Sequence, residues 1–360
     1  MGMSTLATMT DQTATTTRAW GTPGFAEPLE PVTIERRALR GDDVRIAIEY
    51  AGICHSDIHT IRGDWGDRRY PLVPGHEIVG RVEAVGDKVT KHRVGERVGV
   101  GCFVNSCGEC EPCRAGEISY CDNGVVTTYG AEDPYADQEY TQGGYSRQIV
   151  VREDFVVRVP ESLDPAAAAP LLCAGITTYS PLKHWNTGPG KRVAVIGMGG
   201  LGHVGVKIAA AMGAEVTVFS HSTRKRDDAL RFGATHHVST ADGLPDEWRN
   251  YFDLILNTVS VDLDIDAYLQ LLRLDGVLVQ LGLPGAPLET KTRSFTQKRR
   301  SLSGSLVGGI RETQEMLDFC AEHGVTAEIE LIDAEGINEA YDRTIAADVR
   351  YRFVIDAATL

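Results

Sequence analysis

A glycine-rich turn at the end of an apolar strand restricts the fold of this chain more than any other feature. The run Val193–Ile196 leads directly into Gly197–Gly202, and a helical pattern opens at His203. The spacing G-x-G-x-x-G allows a tight turn, approach of a pyrophosphate to backbone N–H groups, and close packing of the helix on the strand. An ordinary strand-to-helix turn is the alternative. The complete strand–turn–helix unit favours a dinucleotide-binding turn, whose contacts would be Gly197, Gly199, Gly200, Leu201 and Gly202.

The end of the next strand indicates which dinucleotide this turn would bind. An NAD site usually places Asp or Glu there, about 20 residues after the first glycine, to bond the ribose 2′-hydroxyl. Here the strand Val216–Phe219 is followed by hydroxyls and cations, which suit a 2′-phosphate. A capped, solvated helical turn is the alternative, although basic residues at a helix start oppose its dipole. The tip therefore predicts NADP(H), with these candidate contacts: Ser220, Ser222, Arg224 and Lys225.

The distribution of apolar runs, turn residues and helical patterns along the chain predicts two domains of the α/β class. Before Val159, short apolar runs alternate with Gly, Pro and Asp, which is typical of strands and turns. After Pro165, apolar runs alternate with helical patterns, which indicates parallel strands joined by crossover helices. A chain of 360 residues also exceeds one core of ordinary size. We expect a first domain of strands and turns and a second, dinucleotide-binding domain of parallel strands with crossover helices.

Charge and composition exclude several classes of partner. The 36 Lys and Arg residues against 50 Asp and Glu residues give a net charge of −14, which repels nucleic acid and anionic lipid. The longest apolar region, 193–219, is interrupted by charged residues and glycines, so no membrane span is expected. Residues 1–17 have neither a basic start nor an apolar run and are interpreted as a loose, disordered tail. We expect a cytoplasmic protein, in which clustered cysteines bind metal instead of forming disulfides.

Four of the eight cysteines form a compact block between positions 107 and 121. Four thiolates that close a tetrahedron are the signature of a structural zinc site. An iron–sulfur cluster is the alternative, because similar short spacings hold such clusters. The metal would stabilise a lobe that lacks a core of its own. The predicted ligands are Cys107, Cys110, Cys113 and Cys121.

The other cysteines fall into two groups. Cys102 and Cys320 stand in apolar surroundings without an adjacent histidine motif, and we interpret them as packing residues. Cys54 opens the run Cys-His-Ser-Asp after one strand-like segment, and Gly75-His76-Glu77 precedes another. Scattered Cys and His residues establish little by themselves, and only the longer pattern around them indicates a role.

That longer pattern resembles the zinc-dependent medium-chain alcohol dehydrogenases, and within them the cinnamyl alcohol dehydrogenase group. The similarity runs from about Arg18 to Asp356. Its carriers are Cys54-His55-Ser56-Asp57, the run Gly75-His76-Glu77 with its spaced glycines, the four-cysteine block, Cys173-Ala174-Gly175, the Gly197 turn and Asp348-Val349-Arg350-Tyr351-Arg352-Phe353.

The resemblance implies roles for particular residues. Cys54, His76 and Cys173 would bind a catalytic zinc, with Glu77 as an exchange ligand, so that two zinc ions bind per chain. Asp57 would orient the ring of His76. Ser56 would accept the alcohol proton and His59 would relay it to solvent. The resemblance adds three cofactor contacts, which are Thr177, Ser305 and Arg350.

The resemblance also implies the domain layout and the reaction. A GroES-like, mostly-β catalytic domain would comprise residues 18–176 and 307–360, and a Rossmann-type, doubly wound parallel NADP-binding domain would comprise residues 177–306. The expected activity is reversible hydride transfer between NADP(H) and a primary alcohol or aldehyde, aromatic or medium aliphatic, in a homodimer. A polyol or sugar dehydrogenase of the same superfamily and a non-catalytic, zinc-stabilised dinucleotide sensor are the alternatives.

Overall fold

The structure is a computed structural model and describes residues 13–66, 68–136 and 139–360. The strands of this described part are β1 Thr15–Gly21, β2 Glu30–Arg36, β3 Asp43–Gly52, β4 Ile78–Val85, β5 Arg97–Val100, β6 Phe103–Asn105, β7 Val126–Thr127, β8 Glu132–Asp133, β9 Glu139–Tyr140, β10 Gln148–Arg152, β11 Val157–Arg158, β12 Arg192–Ile196, β13 Glu215–Ser220, β14 His236–Ser239, β15 Phe252–Asn257, β16 Leu272–Gln280, β17 Ser301–Gly304, β18 Ile329–Ile332 and β19 Arg352–Asp356. Its helices are α1 His55–Ile61, α2 Glu111–Ala115, α3 Pro165–Ala168, α4 Ala174–His184, α5 Gly202–Ala211, α6 Arg226–Arg231, α7 Ile265–Leu269, α8 Thr292–Thr296, α9 Ile310–His323 and α10 Ile337–Ile345. None of these helices is long and apolar enough to cross a membrane.

The start of the described chain differs from the loose tail that the sequence predicts over residues 1–17. Residues 1–12 lie outside the described part. Thr15, Thr16 and Thr17 belong to β1 and pair antiparallel with β2. β-Branched threonine favours this extended conformation, so a threonine-rich segment forms a strand where a partner strand is available.

The first of two compact units runs to Leu172 and takes in Glu330–Asp348 and Phe353–Leu360. Its main sheet has seven strands in the order β11-β5-β4-β3-β19-β18, with β10 also paired to β3. β3 is central because its alternate residues Ile46 and Ile48 are buried and its backbone pairs with β4, β10 and β19. The ends of β3 and the start of β4 position the residues described below.

The second unit comprises Cys173–Ile329 and Val349–Arg352. Its six strands are parallel and ordered β14-β13-β12-β15-β16-β17. β12 is the first of these strands along the chain and lies in the middle of the sheet, where the strand order reverses. In doubly wound sheets a ligand binds beyond the carboxyl ends of the strands at such a point.

The return of the chain to the first unit lies later than the position 307 expected from the sequence. The first unit resumes at Glu330, and α9 belongs to the second unit. The rings of Phe319 in α9 and Tyr179 in α4 lie 5.7 Å apart, so α9 packs on a helix of the second unit. An amphipathic helix reveals that one face is buried, but its sequence does not say which domain buries it.

Candidate active site

Cys54, His76, Glu77 and Cys173 bring their ligand atoms into one buried group. One sulfur, nitrogen or oxygen atom from each side chain lies within 4.8 Å of the others. Two thiols, an imidazole and a carboxylate are donors that Zn²⁺ takes in proteins. The donor set therefore fits a zinc ion, and it includes Glu77 beside the three ligands that the family resemblance implies.

Strand ends position Cys54, His76 and Glu77. β3 ends at Gly52, two residues before Cys54, and His76 and Glu77 immediately precede β4. A Cβ atom at residue 52 would collide with Glu77 Oε2, so glycine is required for the carboxylate to enter the group. Cys173 follows the fully buried 3₁₀ turn Ala169–Leu172 and is the first residue of the second unit.

Asp57 is a buried carboxylate that holds the ring of His76. Asp57 accepts hydrogen bonds from the backbone N–H of Cys54 at 2.9 Å and of Gly75 at 3.2 Å. His76 Nδ1 lies 3.1 Å from Asp57 Oδ1, and the Tyr145 hydroxyl donates to Asp57 Oδ2 at 3.1 Å. These contacts assign the proton to Nδ1 and leave Nε2 of His76 for a metal. These contacts restrain the orientation of the His76 ring.

The structure corrects the interpretation of Cys102 as a packing residue without a nearby histidine. Burial opposes the charged form of His76, but Cys102 and Asp57 hydrogen-bond to its ring and raise its pKa above the ordinary value. Cys102 lies two residues beyond β5, much as Cys54 lies two residues beyond β3. By contrast, Cys320 has no exposed surface, and burial raises the pKa of its thiol to about 12, as suits a packing residue.

Ser56 and His59 lie on α1, next to the metal-ligand group. Ser56 Oγ lies 3.7 Å from Cys54 Sγ. His59 is partly exposed, its Nδ1 lies 2.7 Å from Asp64 Oδ2, and its ring stacks on Trp65 at 5.3 Å. A hydroxyl beside the metal ligands and a solvent-accessible imidazole have the positions that proton transfer between substrate and water requires.

The four-cysteine block closes into a tetrahedron of sulfur atoms. The Cys107 Sγ lies 3.9 Å from that of Cys113 and 3.5 Å from that of Cys121, and Cys110 Sγ lies 3.9 Å from Cys121 Sγ. Zinc–sulfur bonds of about 2.3 Å give tetrahedral edges of about 3.8 Å. The sulfurs are too far apart for disulfides, whose S–S bond is about 2.05 Å. An iron–sulfur cluster would place several atoms between the thiolates and separate them further, so the spacing fits one metal ion.

The Gly197 turn has the shape that a pyrophosphate requires. Gly197 has φ +93°, in the left-handed region, and a Cβ atom there would collide with Val259. A Cβ at residue 202 would collide with the carbonyl oxygen of Gly197, whereas one at Gly199 would meet no atom within 4 Å. The turn is therefore closely packed where Gly202 meets the carbonyl of Gly197. It is open at Gly199, near the start of α5, where a pyrophosphate would have space to bind.

The tip of β13 carries concentrated positive charge. Ser220 ends β13, Ser222 follows, and Arg224 and Lys225 lie in a 3₁₀ turn before α6. Burial and the neighbouring cations Arg350 and Arg224 lower the pKa of Lys225. The positive charges of Lys225, Arg350 and Arg224 repel one another, and a bound anion would reduce this repulsion. The end of β13, referred to below as the basic tip, therefore fits a 2′-phosphate.

Comparisons with known proteins agree with this geometry. Residues 40–161 match the alcohol dehydrogenase GroES-like domain, and residues 200–322 match the zinc-binding dehydrogenases. NADP-dependent alcohol dehydrogenase C 1 of Mycolicibacterium smegmatis is 59% identical over 347 residues, which cover 96% of this chain and 99% of the relative. The chain belongs to the zinc-binding alcohol dehydrogenase family.

Solved structures resemble the dehydrogenase over nearly its whole length. A cinnamyl alcohol dehydrogenase of Sorghum bicolor has a TM-score of 0.92 and 44% identity, covering 96% of this chain and 98% of that one. CAD of Helicobacter pylori, solved in complex with NADP(H), has a TM-score of 0.90 and 42% identity, covering 96% and 99%. The predicted family and the predicted fold class, a GroES-like domain with a Rossmann domain, are confirmed.

The three later cofactor contacts predicted for the dehydrogenase lie in different places. Arg350 lies near the β13 tip, where it acts on the pKa of Lys225. Thr177 is buried in α4, and Ser305 directly follows β17, with its hydroxyl bonded to the carbonyl of Leu306. Of these three residues, Arg350 is the one whose described contacts place it beside the cations at the end of β13.

Sequence reasoning missed Tyr145 as a member of the dehydrogenase site. Its ring is fully buried and passes so close to Gly75 that a Cβ there would lie 2.5 Å from Tyr145 Cδ1. Tyr145 and Asp57 are 88 positions apart in the chain. No local spacing connects them, although a buried tyrosine generally has a partner for its hydroxyl.

Proposed function

We propose that the dehydrogenase interconverts primary alcohols and aldehydes with NADP(H), and that its substrates are aromatic, such as cinnamyl or benzyl compounds, or medium aliphatic. The observation that carries this proposal is the buried group Cys54, His76, Glu77 and Cys173 in a chain with a cationic dinucleotide-binding tip. The similar proteins named as NADP-dependent and cinnamyl alcohol dehydrogenases support the same reaction.

In this proposal each cofactor has a defined place and chemistry. When bound, zinc would act as a Lewis acid toward the alcohol or carbonyl oxygen, and NADP(H) would carry the hydride. Cys54, His76 and Cys173 would hold the catalytic zinc, and Glu77 is close enough to exchange into the same group. Asp57 keeps the His76 ring in one tautomer and one orientation through the contact at Nδ1.

Ser56 and His59 carry the proton in this proposal. Ser56 accepts the alcohol proton at Oγ, beside Cys54, as it gives up its own hydroxyl proton toward His59. His59 exchanges a proton with water, and its ring is held in place by the contact of Nδ1 with Asp64 Oδ2. In aldehyde reduction the same groups supply the proton in the opposite direction.

Ser56→Ala is expected to lower kcat for alcohol oxidation by about 10²-fold, because the group that accepts the proton is lost. The metal content and the Kd for NADPH should stay at wild-type values. Ser56→Thr keeps a hydroxyl and is the matched control, which should retain most of the activity. Steady-state rates and metal analysis on the same samples check this, and an unchanged kcat in Ser56→Ala would exclude Ser56 from proton transfer.

The coenzyme and substrate assignments are tested together on the purified enzyme. We expect consumption of NADPH with cinnamaldehyde, benzaldehyde and medium aliphatic aldehydes, and a higher kcat/KM with NADPH than with NADH. Lys225→Ala should reduce this coenzyme ratio by about tenfold, which corresponds to one lost charge contact of about 1.4 kcal/mol. Arg226→Ala removes an exposed cation one position later and is the control. Equal or better use of NADH by the wild type would contradict the coenzyme assignment.

We further propose a cytoplasmic homodimer joined through β17. Within the described chain, β17 is an edge strand that pairs only with β16, so its other side offers backbone groups to a second copy. All eight cysteines are free of disulfides, as metal-binding thiols in a reducing compartment are. Sedimentation of a 39.1 kDa monomer alone would contradict the dimer, and recovery of the native enzyme from an oxidising compartment would contradict the location.

A further inference from the structure

Tyr351 places a hydroxyl group in a fixed position next to the basic tip. Its side chain is buried, its ring stacks on His203 at 4.9 Å with an interplanar angle of 17°, and it meets the Phe232 ring edge-on at 5.6 Å. The hydroxyl donates to Asp228 Oδ2 at 2.6 Å. Burial and Asp228 raise the pKa of Tyr351, so the phenol stays protonated and remains a donor. The packed ring leaves this donor little freedom to move.

Asp228 is the acid that competes for the cations of the tip. Its Oδ2, the oxygen that Tyr351 bonds, also lies 3.8 Å from Arg350 Nε, and its Oδ1 accepts from Arg231 at 2.9 Å. The charge of Asp228 acts on Lys225, whose pKa it raises against the stronger lowering effects of burial, Arg350 and Arg224. Asp228 Oδ2 already lies at ion-pair distance from Arg350, and a carboxylate released by Tyr351 would be able to close further on Arg350 or turn toward Lys225 and neutralise the charges on which a 2′-phosphate depends.

The ring of Tyr351 also contacts Lys225 itself. Lys225 Nζ lies 5.0 Å from the ring centroid, within the range of a cation–π interaction, and donates to the carbonyl of Met198 in the glycine-rich turn at 2.8 Å. One phenol therefore contacts both the cation proposed to bind the coenzyme and the carboxylate that would compete for it.

We propose that Tyr351 is a positioning residue for coenzyme selection: its hydroxyl restrains Asp228 and its ring supports Lys225, so that Lys225 and Arg350 serve the 2′-phosphate of NADP(H). This inference rests on the proposed NADP(H) site and adds a residue that need not touch the coenzyme. Tyr351 would then affect the binding of NADP(H) but not that of NAD(H), because NAD(H) lacks the 2′-phosphate that Lys225 and Arg350 would bind.

Tyr351→Phe tests the hydroxyl, since it keeps the ring and removes only the donor. We expect the Kd for NADPH and for 2′,5′-ADP to rise about tenfold, within the range of coupling between neighbouring groups. The Kd for NADH and for 5′-AMP should change by less than about twofold on the same reasoning. Titration calorimetry with the two nucleotide fragments measures this without catalysis.

A second substitution distinguishes restraint of Asp228 from a packing role. Asp228→Asn in the Tyr351→Phe background removes the competing charge and should restore the Kd for 2′,5′-ADP to within about threefold of the wild type. Tyr251→Phe is the matched control, because the Tyr251 hydroxyl donates to Glu215 Oε1 at the same distance of 2.6 Å, at the other end of β13. Its ratio of Kd values should equal that of the wild type.

The outcomes separate the inference from the function on which it rests. Equal weakening of 2′,5′-ADP and 5′-AMP in Tyr351→Phe, or failure of Asp228→Asn to restore binding, would overturn the role of Tyr351. If Tyr351→Phe does not fold, Asp228→Asn alone decides: tighter 2′,5′-ADP with unchanged 5′-AMP supports the inference, and any other result overturns it. A wild-type enzyme without preference for 2′,5′-ADP over 5′-AMP would instead contradict the proposed NADP(H) site.

Discussion

Cys54→Ser is expected to lose at least about 10³-fold in kcat for both alcohol oxidation and aldehyde reduction, because Lewis-acid stabilisation of several kcal/mol disappears with the catalytic metal. A serine hydroxyl stays protonated near neutral pH and is a poor zinc ligand, whereas a cysteine thiol ionises when it binds metal. The remaining His76, Glu77 and Cys173 offer a single thiolate, so the site should bind zinc too weakly to retain it.

The loss must be traced to the metal and not to the fold. Cys54→Ser should hold one zinc ion per chain where the wild type holds two, and should bind NADPH with a wild-type Kd. Cys320→Ala is the matched control, because Cys320 is equally buried but packs against Met316, with a sulfur–sulfur distance of 3.6 Å. The control should keep two metals and its activity. Full activity in Cys54→Ser, or two metals per chain in that variant, would remove Cys54 from the ligand set.

The features that sequence analysis predicts best are those that neighbouring residues create together. The Gly197 turn and the four-cysteine block each lie within one short segment, so spacing alone carries their geometry. The family resemblance extended the prediction to Cys54, His76 and Cys173, which composition and periodicity could not bring together. The structure places these distant residues in one group with Glu77.

What the sequence did not reveal depends on contacts between distant segments. The Tyr351 and Asp228 side chains meet across 123 positions, and no periodic pattern relates them. The sequence predicts a packing role for Cys102 because its neighbours in the chain are apolar, whereas its neighbour in space is His76. Apolar neighbours in sequence are typical of a buried strand, and whether the end of that strand meets a core or a site is decided by contacts with distant segments.

Cys110→Ser combined with Cys113→Ser is expected to remove the second metal. The free energy of unfolding should fall by about 4 kcal/mol, which for a domain of this size lowers Tm by about 10 °C. α2 has only five residues and none of them is buried, so neither helix propensity nor a core holds this segment in place. Structural zinc contributes folding free energy directly, with binding of about 10 kcal/mol or more in small zinc-dependent folds. The four thiolates are therefore the main restraint on residues 107–121.

The double variant should also become sensitive to protease within that segment while its Kd for NADPH remains unchanged, because the dinucleotide turn and the β13 tip belong to the second unit. Limited proteolysis with mass analysis locates the cleavage, and metal analysis should return one zinc ion per chain. Cys320→Ala again serves as the control and should resist the protease. An uncleaved double variant with two zinc ions would contradict the structural site. Iron and visible absorbance in the wild-type protein would show that the four cysteines hold an iron–sulfur cluster and not zinc.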